Sequence, residues 1–310
     1  MHSLFFIKIH MKKALVLFLA LNILVFAIDF FAGGISIHLQ LVLGALLIGL
    51  VGIPHGAIDH ILFLQNNKTS PIKFYALYFS LMLAVIAVWV IFPTAGLVSF
   101  LAFSAYHFGQ SQFAKYKNIK KSVKVFLYIT WGLAVISGLC VYNQTEILQN
   151  TSSSTDLIRL QPLFDGVLFH SLLVICSTLF AARLLSLYKL LGIRTVIFEL
   201  AVFALIQICF LLNPVLIGFS IYFASLHSLH VLQQEFKFLR TRIEAFSWYN
   251  FIVMLTPYTL VSLFGLVFLL GLSHYGIVAV SKTLLVFATI SALTLPHSLV
   301  MERFYSQNNT

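Results

Sequence analysis

Charge is what this chain most lacks. Asp, Glu, Lys and Arg together make up 9% of its 310 residues, against about 25% in a soluble domain, so a water-facing surface cannot be assembled from it. The few charges are lopsided, with 19 Lys and Arg against nine acids and a formal net charge of +10. The bases stand in short clusters between apolar runs, which speaks against a nucleic-acid-binding surface and fits residues that set orientation in a bilayer. Cysteine is scarce as well: Cys140, Cys176 and Cys209 each sit inside an apolar run, with no CxxC and no Cys/His spacing. That excludes a disulfide framework and a zinc ribbon, and leaves the three as packing residues.

What is abundant is hydrocarbon. Sixty per cent of the residues are hydrophobic and the mean hydropathy is +1.00. Apolar runs of about 20 residues, enough to cross a hydrocarbon layer of about 30 Å, can be drawn ten times, near 14–31, 38–64, 74–92, 94–113, 122–142, 163–187, 195–212, 214–234, 250–273 and 277–303. The expected fold is an all-α polytopic membrane protein, a single bundle of about ten transmembrane helices. One integral membrane domain then covers 1–310, with 1–37 peripheral and 38–303 carrying the chemistry. Met11-Lys12-Lys13 and the apolar run after them also fit a signal sequence, though no small-x-small cleavage site follows.

Counted over ten spans, the bases fall on one side: Lys8, Lys12 and Lys13, then Lys68 and Lys73, the Lys115 to Lys124 cluster, Lys189 and Arg194, Lys237 to Arg242, and Arg303. Arg159, in the polar connection 143–162, departs from this. The positive-inside rule then predicts a cytoplasmic (inner) membrane protein with both termini in the cytoplasm.

Within this apolar chain the segment Val51–His60, VGIPHGAIDH, holds two histidines and an aspartate. Pro54 removes a helical N–H, and Gly52 and Gly56 loosen the backbone beside it, so the helix is predicted to bend or unwind at His55. Bent backbone at membrane depth must face protein or a cavity, because lipid cannot satisfy freed polar groups. On a regular helix Asp59 shares the face of His55, whereas His60 points about 140° away.

Further histidines, His107, His227, His230 and His297, fall on spans running outside to inside, toward the cytoplasmic end. His107 is eight residues before Lys115, His227 ten before Lys237 and His297 six before Arg303, while Glu199 is five after Arg194. A lone intramembrane histidine is usually a hydrogen-bonded packing residue. Several left unpartnered would each cost about 1–3 kcal/mol, a penalty that one shared metal ion removes. Imidazoles with no cysteine among them suit iron, zinc, copper or nickel, so ligand type leaves the metal open. The other five histidines lie at interfaces or in loops, or on a span nearer the outside, and are read as structural.

The motifs GIPHGAIDH, SAYHFG (Ser104 to Gly109), IFEL (Ile197 to Leu200), LHS (Leu226 to Ser228) and LPH (Leu295 to His297) resemble those of the Brp/Blh family of bacterial and archaeal membrane β-carotene 15,15′-dioxygenases. The resemblance runs from about residue 38 to the end. It implies cleavage of β-carotene by O2 at the central double bond to two all-trans retinal, with a non-haem Fe(II) held by four histidines. It also implies the lipid bilayer as surroundings and a microbial rhodopsin as recipient of the retinal. Matched motif by motif, His55, His107 and His227 are iron ligands. The family's His-Ser-x-x-His pair is here His227-Ser228-Leu229-His230, one residue short. His230 still shares a face with His227, the more so if a π or 3₁₀ turn adjusts it, and is taken as the fourth ligand, with His297 as the alternative. Asp59 and Glu199 are expected to orient the ligands, and Gln112 stands where the family often has an acid.

Two other readings use the same residues. A metal or proton transporter would employ the histidines, Asp59 and Glu199 as a relay, and would show weakly held metal with transport in vesicles. Another histidine-liganded membrane iron oxygenase would need about eight histidines in boxes including HxxHH, and the chain has no such box.

Overall fold

A computed structural model of the chain describes residues 2–65, 70–152, 155–278 and 280–308, with side chains described from Lys13 to Gln307. Lys8, Lys12 and Lys68, named above for orientation, lie outside the described side chains. Among the described residues every regular element is helical. Among the described residues nine helices are long and apolar enough to cross a membrane. The fourth expected span is present as Pro93–Phe113, 21 residues long, but it is too polar to join the nine. Its second half carries Ser104, His107, Gln110, Ser111 and Gln112, all buried: the helix that lowers its own hydropathy is one that carries a site residue. The connection 143–162 is not open loop, since it folds a short helix, Gln144–Ser152.

The helices gather into two compact units. Unit 1 comprises residues 1–58 and 212–263. It contains α1 (His2–Ala32) and α2 (Ile37–Leu47), followed by a π segment, Ile48–Gly52, and a 3₁₀ turn, Ile53–Gly56. Its second part contains α12 (Val215–Ile221), a π segment, Tyr222–Ser228, and α13 (Leu229–Arg240), and ends within α14 (Trp248–His274). The bend expected at Pro54 is thus a change of helix type, and α2 packs on α12 while the two π segments pack on each other. Gly44 permits the first contact: a Cβ there would sit 3.1 Å from Leu216 and 3.2 Å from the Ser220 hydroxyl. Asn213 donates to Asn22 at 3.1 Å, tying the start of the second part to α1.

Unit 2 comprises residues 59–211 and 264–310. It holds α3 (Asp59–Gln65), α4 (Pro71–Ile91), α5 (Pro93–Phe113), α6 (Lys121–Tyr142), the short α7 (Gln144–Ser152) and α8 (Gln161–Asp165), α9 (Leu168–Ser186), the single turn α10 (Tyr188–Leu191), α11 (Ile193–Leu212) and α15 (Lys282–Asn308). Its closest crossing joins α5 and α6. A Cβ on Gly109 would strike the backbone of Tyr128, and one on Gly132 the carbonyl of Ala105. Small residues at this spacing let backbones touch where lipid supplies no hydrophobic drive for helix association. His107 lies between Ala105 and Gly109 and is therefore held on the least yielding stretch of α5. α15 packs on α3, α4 and α5.

Candidate metal centre

Each unit buries a pair of imidazoles. In unit 1, His55 lies in the 3₁₀ turn and His227 in the π segment Tyr222–Ser228. Their ring centroids are 5.2 Å apart, edge to face. Phe223 completes the group, stacked on His227 at 5.3 Å and edge-on to His55 at 5.5 Å. The Nδ1 of His55 hydrogen-bonds the Gly52 carbonyl; a carbonyl only accepts, so the ring carries its proton on Nδ1. Gly52 is also where the chain must pass Phe223, because a Cβ there would lie 2.8 Å from that ring. One glycine thus supplies the acceptor and the clearance. His230 is the second residue of α13, buried, with Nε2 2.7 Å from the Gln234 amide nitrogen.

In unit 2, His107 and His297 pack edge to face at 4.9 Å, and a ligand nitrogen of one lies within 4.8 Å of one of the other. His297 Nδ1 is 2.8 Å from Asp59 Oδ1, both side chains being buried, and Tyr78 donates to the other carboxylate oxygen at 2.9 Å. His107 Nδ1 lies 3.4 Å from Gln110 Oε1.

The expectation that Asp59 orients His55 assumed a regular helix between them. The 3₁₀ turn and the turn residues Ala57 and Ile58 interrupt it, and the hydrogen bonds of Asp59 go to His297 and Tyr78. Glu199, fully buried on α11, bonds Gln112 at 2.6 Å, Lys115 at 2.9 Å and the Tyr116 hydroxyl. All three follow His107 along the chain, so Glu199 fixes the end of α5 rather than touching an imidazole through these bonds. Burial and the adjacent Glu199 charge push the Tyr116 phenol well above its usual range, keeping it a donor. The Gln112 amide is the donor in its bond to Glu199. His60, read as facing elsewhere, stacks on Tyr75 at 6.1 Å.

Sequence reasoning passed over Tyr78, Gln110 and Glu302. Tyr78 is one of 12 tyrosines and carries no local signal. Gln110 had one, a glutamine three residues after a histidine in an apolar helix. Glu302 was hidden beside Arg303, where a charge at a span's end reads as the membrane rim.

An apolar cleft of about 170 Å³ opens on unit 2, lined by Phe63, Phe74, Leu77, Tyr78, Leu81 and Pro296 among others. Pockets that bury drug-sized ligands span roughly 300–1,000 Å³, so this cleft cannot by itself enclose a long hydrocarbon.

No curated protein and no solved structure matches the chain. The model of one family, described as beta-carotene 15,15′-dioxygenase, matches residues 46–305, a span that contains all six buried or half-buried histidines described above, and the chain belongs to that family.

Proposed function

We propose that the protein cleaves β-carotene at its central 15,15′ double bond with O2 to give two all-trans retinal, using Fe(II) held by His55, His107, His227 and His297. The reading is supported most by the way the imidazoles are prepared. His55 and His297 direct Nδ1 at a carbonyl and a carboxylate, which holds a ring proton on Nδ1 and leaves Nε2 as the nitrogen whose lone pair a metal can take. The donor set is all nitrogen and contains no thiol, which fits iron. When bound, Fe(II) supplies the unpaired electrons through which O2 can react with a closed-shell polyene.

The chain's own residues bind, orient and exclude water. Both oxygen atoms enter the products and no proton is lost, so the reaction asks for no general acid or base. Burial of the imidazoles keeps bulk water from the reacting carbons. Asp59 is assigned to hold His297, and Glu199 to act through the end of α5. His297 is taken as the fourth ligand in preference to His230, because the Gln234 amide lies against the Nε2 of His230, whereas His297 is backed by a carboxylate and packed on His107. The substrate is drawn from the lipid bilayer, and the retinal passes to a microbial rhodopsin.

Expression of the full chain in β-carotene-producing bacteria tests the reaction. Orange colour should fade as retinal accumulates, and unchanged colour with folded protein present would refute the reading. Both termini are assigned to the cytoplasmic side, so reporters fused after Lys121 and after Thr155 should report opposite sides of the membrane.

A further inference from the structure

Glu302 lies on α15, five residues after His297, and none of the motifs above includes it. Its Oε2 accepts from the Tyr106 hydroxyl at 2.7 Å and from the Gln110 amide nitrogen at 2.5 Å. Its Oε1 is 3.9 Å from Lys121 Nζ. As a carboxylate, Glu302 accepts hydrogen bonds only.

That restriction propagates. A carboxylate facing the Gln110 amide must meet its NH2 end, because its C=O end would set two acceptors against each other. The amide oxygen is then turned to His107, 3.4 Å from Nδ1. An amide oxygen cannot donate, so the His107 proton is drawn to Nδ1 and the lone pair is placed on Nε2. Gln110 and His107 are 1% and 2% exposed, so water does not compete for these groups. The relay contains only side chains of unit 2.

We infer that Glu302 is a positioning residue for the metal centre, selecting the tautomer and ring direction of His107 through Gln110. It does for His107 what Asp59 does directly for His297. The inference rests on the reading that His107 binds the metal. It adds that a half-buried acid at the end of α15, two bonds removed, sets how well that ligand binds.

The test uses the purified full-length protein in detergent, titrated anaerobically with Fe(II) and, for its ligand-field bands, with Co(II). Partners that orient metal-ligating histidines typically account for about 10–100-fold in affinity. Gln110→Leu, which fills the space but neither donates nor accepts, should weaken Co(II) binding by about that factor and shift its bands. Glu302→Gln keeps size and the Tyr106 contact but lets the Gln110 amide turn either way, and should weaken binding by about tenfold. The exchange Gln110→Glu with Glu302→Gln returns a fixed acceptor to His107 and should recover most of the loss, which a merely structural role would not. Lys121→Ala, at a side chain 84% exposed, should change affinity less than about twofold.

Thermal midpoints of the metal-free proteins separate misfolding from mispositioning, and Glu302→Gln is the milder variant should Gln110→Leu not fold. Wild-type affinity and bands in Glu302→Gln, or an exchange variant no better than Glu302→Gln alone, would overturn the inference. A wild-type protein that takes up neither metal would instead refute the metal centre, and this inference with it.

Discussion

The two units orient their histidines by different means. In unit 1 the orienting groups are uncharged: a backbone carbonyl for His55 and a phenylalanine face for His227, both delivered by stretches where the α-helix gives way to π or 3₁₀ geometry. In unit 2 the histidines of α5 and α15 sit in unbroken α-helix, with Pro296 beside His297, and the orienting groups are carboxylates, Asp59 for His297 and, through Gln110, Glu302 for His107. Where the backbone is irregular it supplies the acceptor itself. Where it stays α-helical most of its carbonyls are consumed in the helix, and side chains are recruited. Such helix irregularities are frequent at functional sites. A carboxylate also leaves its imidazole a stronger donor than a neutral carbonyl does, so unit 2 is expected to offer the tighter ligands.

The comparison can be broken most severely at the ligands. His107→Ala and His227→Ala should each abolish bound iron and retinal formation, measured by metal analysis and chromatography of extracted retinoids. A folded His107→Ala protein with normal iron would mean that unit 2 holds no ligand there. His297→Ala should behave like them while His230→Ala keeps most of its iron, and the reverse pattern would move the fourth ligand into unit 1.

Next in size is the charged support. Asp59→Asn keeps shape and removes charge, and should weaken iron retention by about 10–100-fold with little change in melting temperature. Iron and activity at wild-type levels would reduce Asp59 to a cap at the start of α3.

The neutral support is probed by Gly52→Ala. The added methyl forces the Phe223 ring aside, and overpacking of this kind costs about 1–3 kcal/mol. Since Phe223 touches both imidazoles of unit 1, lowered thermal stability should come together with altered Co(II) bands. Destabilisation with unchanged bands would show that Phe223 packs without orienting.

The smallest effect is expected at Tyr78→Phe, which deletes one hydrogen bond to Asp59, worth about 1 kcal/mol. The bond to His297 stays, so a few-fold loss of affinity is expected in the same titration.

Much of this was legible in the residues. The span pattern, the break at Pro54 and the histidine motifs follow from local chemistry: an apolar run must be a helix in lipid, a proline must interrupt it, and a histidine there needs a partner. The partners were less legible. Asp59 was paired with its neighbour at four residues because sequence spacing converts to a shared face only on a regular helix, and here the helix changes type between them. Asp59 instead reaches His297, 238 residues away, which no local spacing encodes. Glu302 and Gln110 are 192 apart and suffer the same blindness. The fourth span was legible as a run but not as an exception, because the polar residues that disqualify Pro93–Phe113 become meaningful only once all of them prove buried.

The three cysteines, each buried against neighbouring helices, have a practical consequence. A protein whose native thiols are shielded is a quiet background for chemical probes. Single cysteines placed in the connections, at Lys117 or Glu146 for instance, can be challenged with membrane-impermeant maleimides in intact cells without first stripping the chain of its own sulfur. Sidedness, opening of helix seams and access to the imidazoles then become quantities read residue by residue from a labelling rate.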